Sequence, residues 1–288
     1  MFGASIALLL VAVVFWAKFG LTLGVDFKGG SVTEIQFAGV RPEVDAVRAK
    51  LATTEFKDAT ISLAGTDSLV VRGAQLSEPE HQKLLTVFTT VYKDAKPTEA
   101  RFDSVGPAIG QELKSRSVWA ILLVLIAVSL YIALVFRGMG RVLSPWAMSV
   151  ATLAALAHDI LLPIGLFAAL GHWQGVEINA VFVAAILTIM GYSISDTVVV
   201  FDRVRENILR GVKAPFHEVV HMSVMQTLAR SIATNVTTLL SLVAIYFFGG
   251  VTIKYFALAL IVGIFSGAYS SIFVASPLLV WMVRDRSR

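Results

Sequence analysis

The chain contains no cysteine, which excludes disulfide frameworks, thiolate metal sites and cysteine nucleophiles. It is also short of charge. Lys, Arg, Asp and Glu make up 15% of its 288 residues, where a soluble domain carries about 25%. Side chains so few cannot coat a soluble particle of this size. The chain has no HExxH pair to hold a catalytic metal and no Walker-type loop to cradle a nucleotide phosphate, so it does not itself hydrolyse ATP. Ordinary soluble enzymes, disordered chains and fibrous proteins are excluded with these absences.

Apolar residues are what the chain has in abundance. They make up 56% of it, and the mean hydropathy is +0.76. An integral membrane protein fits these numbers. A spanning helix needs roughly 20 predominantly apolar residues. Residues 117–136, 231–253 and 255–283 include uncharged runs of that length. Residues 142–176 are interrupted only by Asp159, and 178–201 only by Asp196. Residues 2–17 are a further uncharged run. No basic residue precedes it, so a retained first span is expected rather than a signal peptide. Six spans are therefore expected, in three parts: a first transmembrane helix over 1–24, an extracytoplasmic domain over 25–116, and a five-helix transmembrane domain over 117–288 with a cytoplasmic loop at 202–230.

The charges are unevenly placed. Residues 25–116 hold 12 of the 24 basic and 13 of the 20 acidic residues, the composition of a domain in water. With that domain outside, the inner connections carry Arg137, Arg141, Arg203, Arg205, Arg210, Lys213 and Arg230, and the tail carries Arg284, Arg286 and Arg288. The short outer connections carry only Lys254. Basic residues mark the cytoplasmic side, so both termini are expected there.

Within the outer segment, 31–38 alternates like a strand, and 42–52 spaces Val44, Val47 and Leu51 like a helix with Pro at its start. Residues 59–63 and 68–72 read as a hairpin. Residues 77–92 open with a capping box, Ser77 and Glu80, and 98–105 reads as a closing strand. The order βαββαβ is the ferredoxin-like arrangement. No catalytic constellation is present there, and His81 is expected to be a solvated surface histidine. The segment is better suited to binding or to transmitting movement than to chemistry, and the chain is not expected to be an enzyme.

Ionisable groups inside a bilayer cost about 2.5–3.5 kcal/mol each on insertion scales, so those retained are expected to face a bundle interior and to work. There are three candidates: Asp159, Asp196 and Arg230. Asp196 lies in Gly191-Tyr192-Ser193-Ile194-Ser195-Asp196-Thr197, where Ser193, Asp196 and Thr197 share one helix face and the small residues allow close packing. It can be a proton carrier, or a permanent partner of Arg230 that ties two helices. Arg230 can be that partner, or can snorkel to the interface. Asp159 follows His158 and reads equally as relay or packing group. Asp202-Arg203 opens a run best explained by inner-side charge and local ion pairs. Asn235-Val236-Thr237 matches a glycosylation sequon but lies inside a span, where the match carries no meaning.

Together these residues resemble one half of a transporter of the RND superfamily and, within it, the SecF family. The resemblance covers nearly the whole chain. It rests on Gly24-Val-Asp-Phe-Lys-Gly-Gly30, on Val105-Gly-Pro-Ala-Ile-Gly-Gln-Glu112, on His158-Asp159, on Gly191 through Arg203, and on Arg230-Ser-Ile-Ala-Thr-Asn-Val-Thr-Thr238. Ser195 departs from the asparagine usual in the family but keeps a small polar side chain. The resemblance implies pairing with a SecD-like subunit in a twelve-span complex. That complex would act late in preprotein export, beside the SecYEG-type translocon, its ATPase and its accessory proteins. It would sit in the bacterial inner membrane among lipid and draw on the proton-motive force. The proton is then the coupling ion, with no other cofactor and no nucleic-acid partner. By the same resemblance Asp196 is the essential carboxylate, Arg230 its cationic partner and Asp159 a weaker member of the pathway. A small-molecule exporter subunit and a scaffold with structural intramembrane charges remain as alternatives.

Overall fold

The structure is a computed structural model, and it describes residues 2–139 and 144–284. Arg141, Arg286 and Arg288, counted above on the cytoplasmic side, lie outside these residues. The chain divides into two compact units, one of residues 1–22 and 118–288, the other of residues 23–117.

The smaller unit contains α2 (Val25–Lys28), β1 (Gly30–Phe37), α3 (Val44–Leu51), β2 (Thr60–Ala64), β3 (Ser68–Gly73), α4 (Glu78–Val91) and β4 (Pro97–Val105). After α2 the order is βαββαβ. The sheet is antiparallel throughout with strand order β2-β3-β1-β4. The alternation read in β1 turns Thr33, Ile35 and Phe37 inward. They meet Leu69 and Val71 of β3, Val47 and Leu51 of α3, and Leu84 and Phe88 of α4, all nearly or wholly buried. Both halves of the capping box at α4 are made, the Glu80 backbone N–H reaching the Ser77 hydroxyl oxygen and the Ser77 backbone N–H donating to the Glu80 carboxylate at 2.7 Å; the Ser77 hydroxyl also donates to that carboxylate at 2.6 Å.

His81 is not solvated. It is 4% exposed, stacked on Phe102 with ring centroids 3.6 Å apart, and its Nε2 lies 3.2 Å from Glu99 Oε1. The helical face carrying Leu84 and Phe88 also carries His81, one turn earlier, so packing α4 onto the sheet buries the ring as well.

Two glycines at the start of this unit cannot be replaced without strain. Gly29 has φ +78°, and a Cβ there would stand 2.7 Å from Pro107 Cα. Gly30 has φ +124°, and a Cβ would meet the Gly73 carbonyl oxygen at 2.6 Å. The Gly24–Gly30 and Val105–Glu112 segments therefore interlock, backbone against backbone.

The larger unit contains α1 (Phe2–Phe19), α5 (Pro107–Val135), which begins in the smaller unit, α6 (Pro145–Gln174), α7 (Ala180–Leu209), α8 (Phe216–Phe248) and α9 (Val251–Ser270). A π-helical turn (Ser271–Ala275) and α10 (Ser276–Arg284) follow α9. Among the described residues, five helical stretches are long and apolar enough to cross a membrane, the last of them running from α9 through the π turn into α10, whereas α1 is shorter. At about 1.5 Å per residue, α7 is about 45 Å long against a hydrocarbon core of about 30 Å, so its ends project. Segment 202–230 is accordingly not a loop: α7 runs on to Leu209, α8 starts at Phe216, and only residues 210–215 connect them. Asp202, Arg203, Arg205 and Glu206 lie on the last turns of α7, Arg210 and Lys213 in the connection, and Arg230 within α8. Arg203 and Arg210 pair with Glu206, and Arg205 lies 3.7 Å from Asp202.

Helix α6 and the α9–α10 stretch form the buried centre of this unit, and α5 is almost wholly exposed. Small residues permit the closest approaches. A Cβ on Gly263 of α9 would overlap Ile189 of α7, and one on Gly165 of α6 would overlap Ala12 of α1. Gly191, read from the sequence as a packing glycine, is exposed with open space where a Cβ would be. The close contacts of that motif belong to Ser193 and Thr197 instead, 2% and 1% exposed.

Candidate functional site

Among the described residues, two carboxylates occupy the interior of the helical unit, each half-way along its helix. Asp159 on α6 is wholly buried. Its Oδ2 accepts the hydroxyls of Ser193 on α7 and Ser270 on α9, both at 2.6 Å, and its Oδ1 accepts that of Ser266 on α9 at 2.8 Å. His158 Nδ1 lies 3.0 Å from Oδ1. One carboxylate thus holds three helices, and Gly267 leaves it room, since a Cβ there would stand 3.1 Å from Ser193 Cβ and 3.5 Å from Asp159 Oδ2.

Both flanking helices are irregular at this level. Pro163, one turn beyond Asp159, has no N–H for the Asp159 carbonyl. The π-helical turn begins immediately after Ser270. Such interruptions are tolerated in apolar surroundings where neighbouring groups take up the freed backbone, and they concentrate at functional positions.

Asp196 on α7 is 8% exposed and accepts a hydrogen bond from Asn235 Nδ2 of α8 at 2.7 Å. Ser231, one turn back on α8, lies against the same carboxyl. The Asn235 Oδ1 is buried and meets no donor among the described residues. Tyr192 adds a second link between these helices, donating to the Thr234 carbonyl at 3.1 Å and lying 3.0 Å from the Thr238 hydroxyl. Asn207 adds a third, donating to Ser223 at 2.8 Å and Gln226 at 3.0 Å.

The ion pair expected between Asp196 and Arg230 is not formed. Buried positions on α8 include Ser223, Thr227, Ser231 and Asn235, a strip at four-residue steps. Arg230 stands one residue, about 100°, off that strip and is exposed. Helical phase therefore delivers a neutral amide, not a guanidinium, to the carboxylate. In the sequence Asn235 shows only as part of a sequon inside a span, a match without meaning. Its signal was the four-residue spacing from Ser231, which places two polar side chains on one helix face. Asp202 and Arg203 belong to the projecting end of α7 and take no part in the interior site.

Among the described residues, five membrane-length helical stretches, with two carboxylates buried among α6 to α9, fit a polytopic membrane protein. The family described as protein export membrane protein SecD/SecF, C-terminal, matches residues 84–285, and the SecD/SecF GG motif matches residues 14–38. A protein translocase subunit SecF from Thermobaculum terrenum is 41% identical, covering 98% of this chain and 91% of that one. A protein translocase subunit SecDF from Thermus thermophilus is 38% identical over 97% of this chain and 37% of its own length. The crystal structure of SecDF from a Thermus species, described as a translocon-associated membrane protein, superposes with a TM-score of 0.83 at 35% identity, covering 99% of this chain and 37% of that one. The chain belongs to the SecF family of protein translocase subunits.

Proposed function

We propose that this SecF-family chain works as the proton-driven half-transporter of a preprotein export complex in the bacterial inner membrane. Helix α1, a shorter apolar helix, serves as a sixth span, and the smaller unit is a ferredoxin-like domain on the outer side with both chain termini inside. The partner is a SecD-like subunit. In favour of this, the Thermus relative carries a chain of this kind within about a third of its own length, under the joint name SecDF. The complex acts beside the translocon on preproteins already crossing the membrane.

The observation that carries this reading is the Asp196–Asn235 contact. A carboxyl group buried between two helices and met by a neutral amide can be accommodated in either protonation state. The carboxylate accepts from the amide N–H, as here at 2.7 Å. The protonated acid can instead donate to the amide oxygen, which is buried and has no donor among the described residues. A permanent ion pair would hold the carboxylate charged and could not alternate in this way. Uptake of a proton by Asp196 thus exchanges one hydrogen bond between α7 and α8 for another, and the α8 strip carries the change. Arg230 would reach the carboxyl only on rotation of α8 by about one residue's turn, about 100°.

The test is Asp196→Asn in the full chain with its SecD-like partner. Stimulation of export by the proton-motive force is expected to be lost while assembly is kept. Unchanged stimulation and proton flux would overturn the reading.

A further inference from the structure

His158, beside Asp159, is a further titratable group enclosed in the helical unit that the mechanism above does not use. It is 4% exposed. Its Nδ1 faces Asp159 Oδ1 at 3.0 Å and the Ser266 hydroxyl at 3.2 Å. Its ring stacks on Tyr269 of α9 with centroids 6.1 Å apart. Its Nε2 is buried and meets no hydrogen-bond partner among the described residues.

With Asp159 ionised, these contacts select one tautomer. Asp159 already accepts three serine hydroxyls and offers only acceptor oxygens, so the nitrogen facing it carries the hydrogen. Neutral His158 therefore has Nδ1–H pointed at Asp159 and a bare lone pair on Nε2. A wholly buried carboxylate with no Lys or Arg partner among the described residues is an uncompensated anion. Adding a proton to Nε2 makes an imidazolium in contact with that anion and neutralises the pair. The titratable groups facing His158 are Asp159 beside it and Tyr269 on the ring face.

We propose that His158 is a second proton-binding residue of this protein. It takes a proton on Nε2 and gives it up from the same atom during the coupling cycle, while its Nδ1–H stays with Asp159. Asp159 is then a positioning residue: it remains ionised, clasped by Ser193, Ser266 and Ser270, and fixes the ring and its tautomer. The irregular backbone at Pro163 and at the π-helical turn lies on the two helices that carry His158 and its serine neighbours. The proposal rests on the proton-coupled reading above, so its test has an arm independent of transport.

In that arm the full chain, with its histidines labelled with 15N, is examined in lipid vesicles by solid-state NMR. His158→Asn identifies the signal, because asparagine can still donate to Asp159 but has no nitrogen to titrate. Nε2 is expected to change from bare to protonated as the pH is lowered, with Nδ1 protonated throughout. Asp159→Asn should abolish the fixed Nδ1–H tautomer. An Nε2 protonated at every pH, or a bare Nδ1, overturns the proposal.

In the second arm His158→Asn and Asp196→Asn are compared for proton flux in vesicles holding the complex with the SecD-like subunit. Flux through His158→Asn is expected to fall by an order of magnitude or more, the scale on which proton-transfer groups act. Wild-type flux in His158→Asn beside lost flux in Asp196→Asn overturns the role of His158 alone. Wild-type flux in Asp196→Asn overturns the proton-coupled reading instead, and the spectroscopic arm then decides whether His158 binds a proton.

Discussion

The two buried carboxylates are expected to differ sharply in what their removal does to stability. In Asp159→Ala, three serine hydroxyls on two other helices lose their common acceptor, and His158 loses the partner that orients it. In Asp196→Ala, the principal loss is the bond from Asn235. Hydrogen bonds between helices inside membrane bundles average about 0.6 kcal/mol and reach about 1.7. Asp159→Ala should therefore cost about 2–5 kcal/mol, and Asp196→Ala about 0.6–2 kcal/mol. The side-chain volume removed is the same in both, so cavity terms largely cancel in the comparison. The assay is reversible unfolding of the full chain in mixed micelles, with rising sodium dodecyl sulfate and fluorescence from its five tryptophans. Ser193→Ala, Ser266→Ala and Ser270→Ala should each account for about a third of the Asp159 effect. The reasoning fails if Asp159→Ala is no more destabilising than Asp196→Ala, because Asp159 would then not be the clasp of α6, α7 and α9.

Gly29→Ala should destabilise the smaller unit by about 1–3 kcal/mol, the cost of a left-handed φ with a clash against Pro107, read as a lowered midpoint in thermal unfolding of the full chain. Phe88→Ala, which empties the centre of the α4–sheet core, should cost about 3–5 kcal/mol in the same experiment. Hydrogen bonds from the Ser77 hydroxyl, and then from its backbone N–H, hold the Glu80 carboxyl below the ordinary glutamate value of 4.5. A depressed folded-state pKa contributes stability that is fully present above that value and is lost as pH falls through the folded pKa. Glu80→Gln should therefore lower stability at neutral pH, where that contribution is present, and flatten the acid limb so that variant and wild type converge below about pH 4.5. Arg230→Gln should alter folding stability by less than about 0.5 kcal/mol in the micelle assay, since the guanidinium is exposed and makes no pair with Asp196.

Much of the secondary structure was legible in the residues. Period-two alternation in β1 and the spacing of Leu84, Leu85, Phe88 and Val91 in α4 reflect side-chain directions that local backbone geometry imposes. The Ser77–Glu80 capping box is equally local. The spans were legible because the bilayer tolerates few charges, which makes Asp159 and Asp196 conspicuous. Helix ends are less legible, because charge ends the apolar run at Asp202 without ending the helix, which continues to Leu209.

From the sequence alone came the membrane class, the division into a charge-rich segment and a helical remainder, the strand-helix order of that segment and the two carboxylates within the apolar helices. All of these follow from local periodicity or from the cost of charge in lipid. Partnership could be decided only by the tertiary structure. His81 is buried because the face of α4 that packs on the sheet includes it. Asp196 meets Asn235 rather than Arg230 because helix phase on α8, about 100° per residue, sets which side chain faces α7. Asp159 gathers Ser193, Ser266 and Ser270 from positions 34, 107 and 111 residues away, which only the packing of α6 against α7 and α9 can bring together. Attraction between opposite charges suggested the first pairing; helix geometry, which charge counting does not contain, chose another.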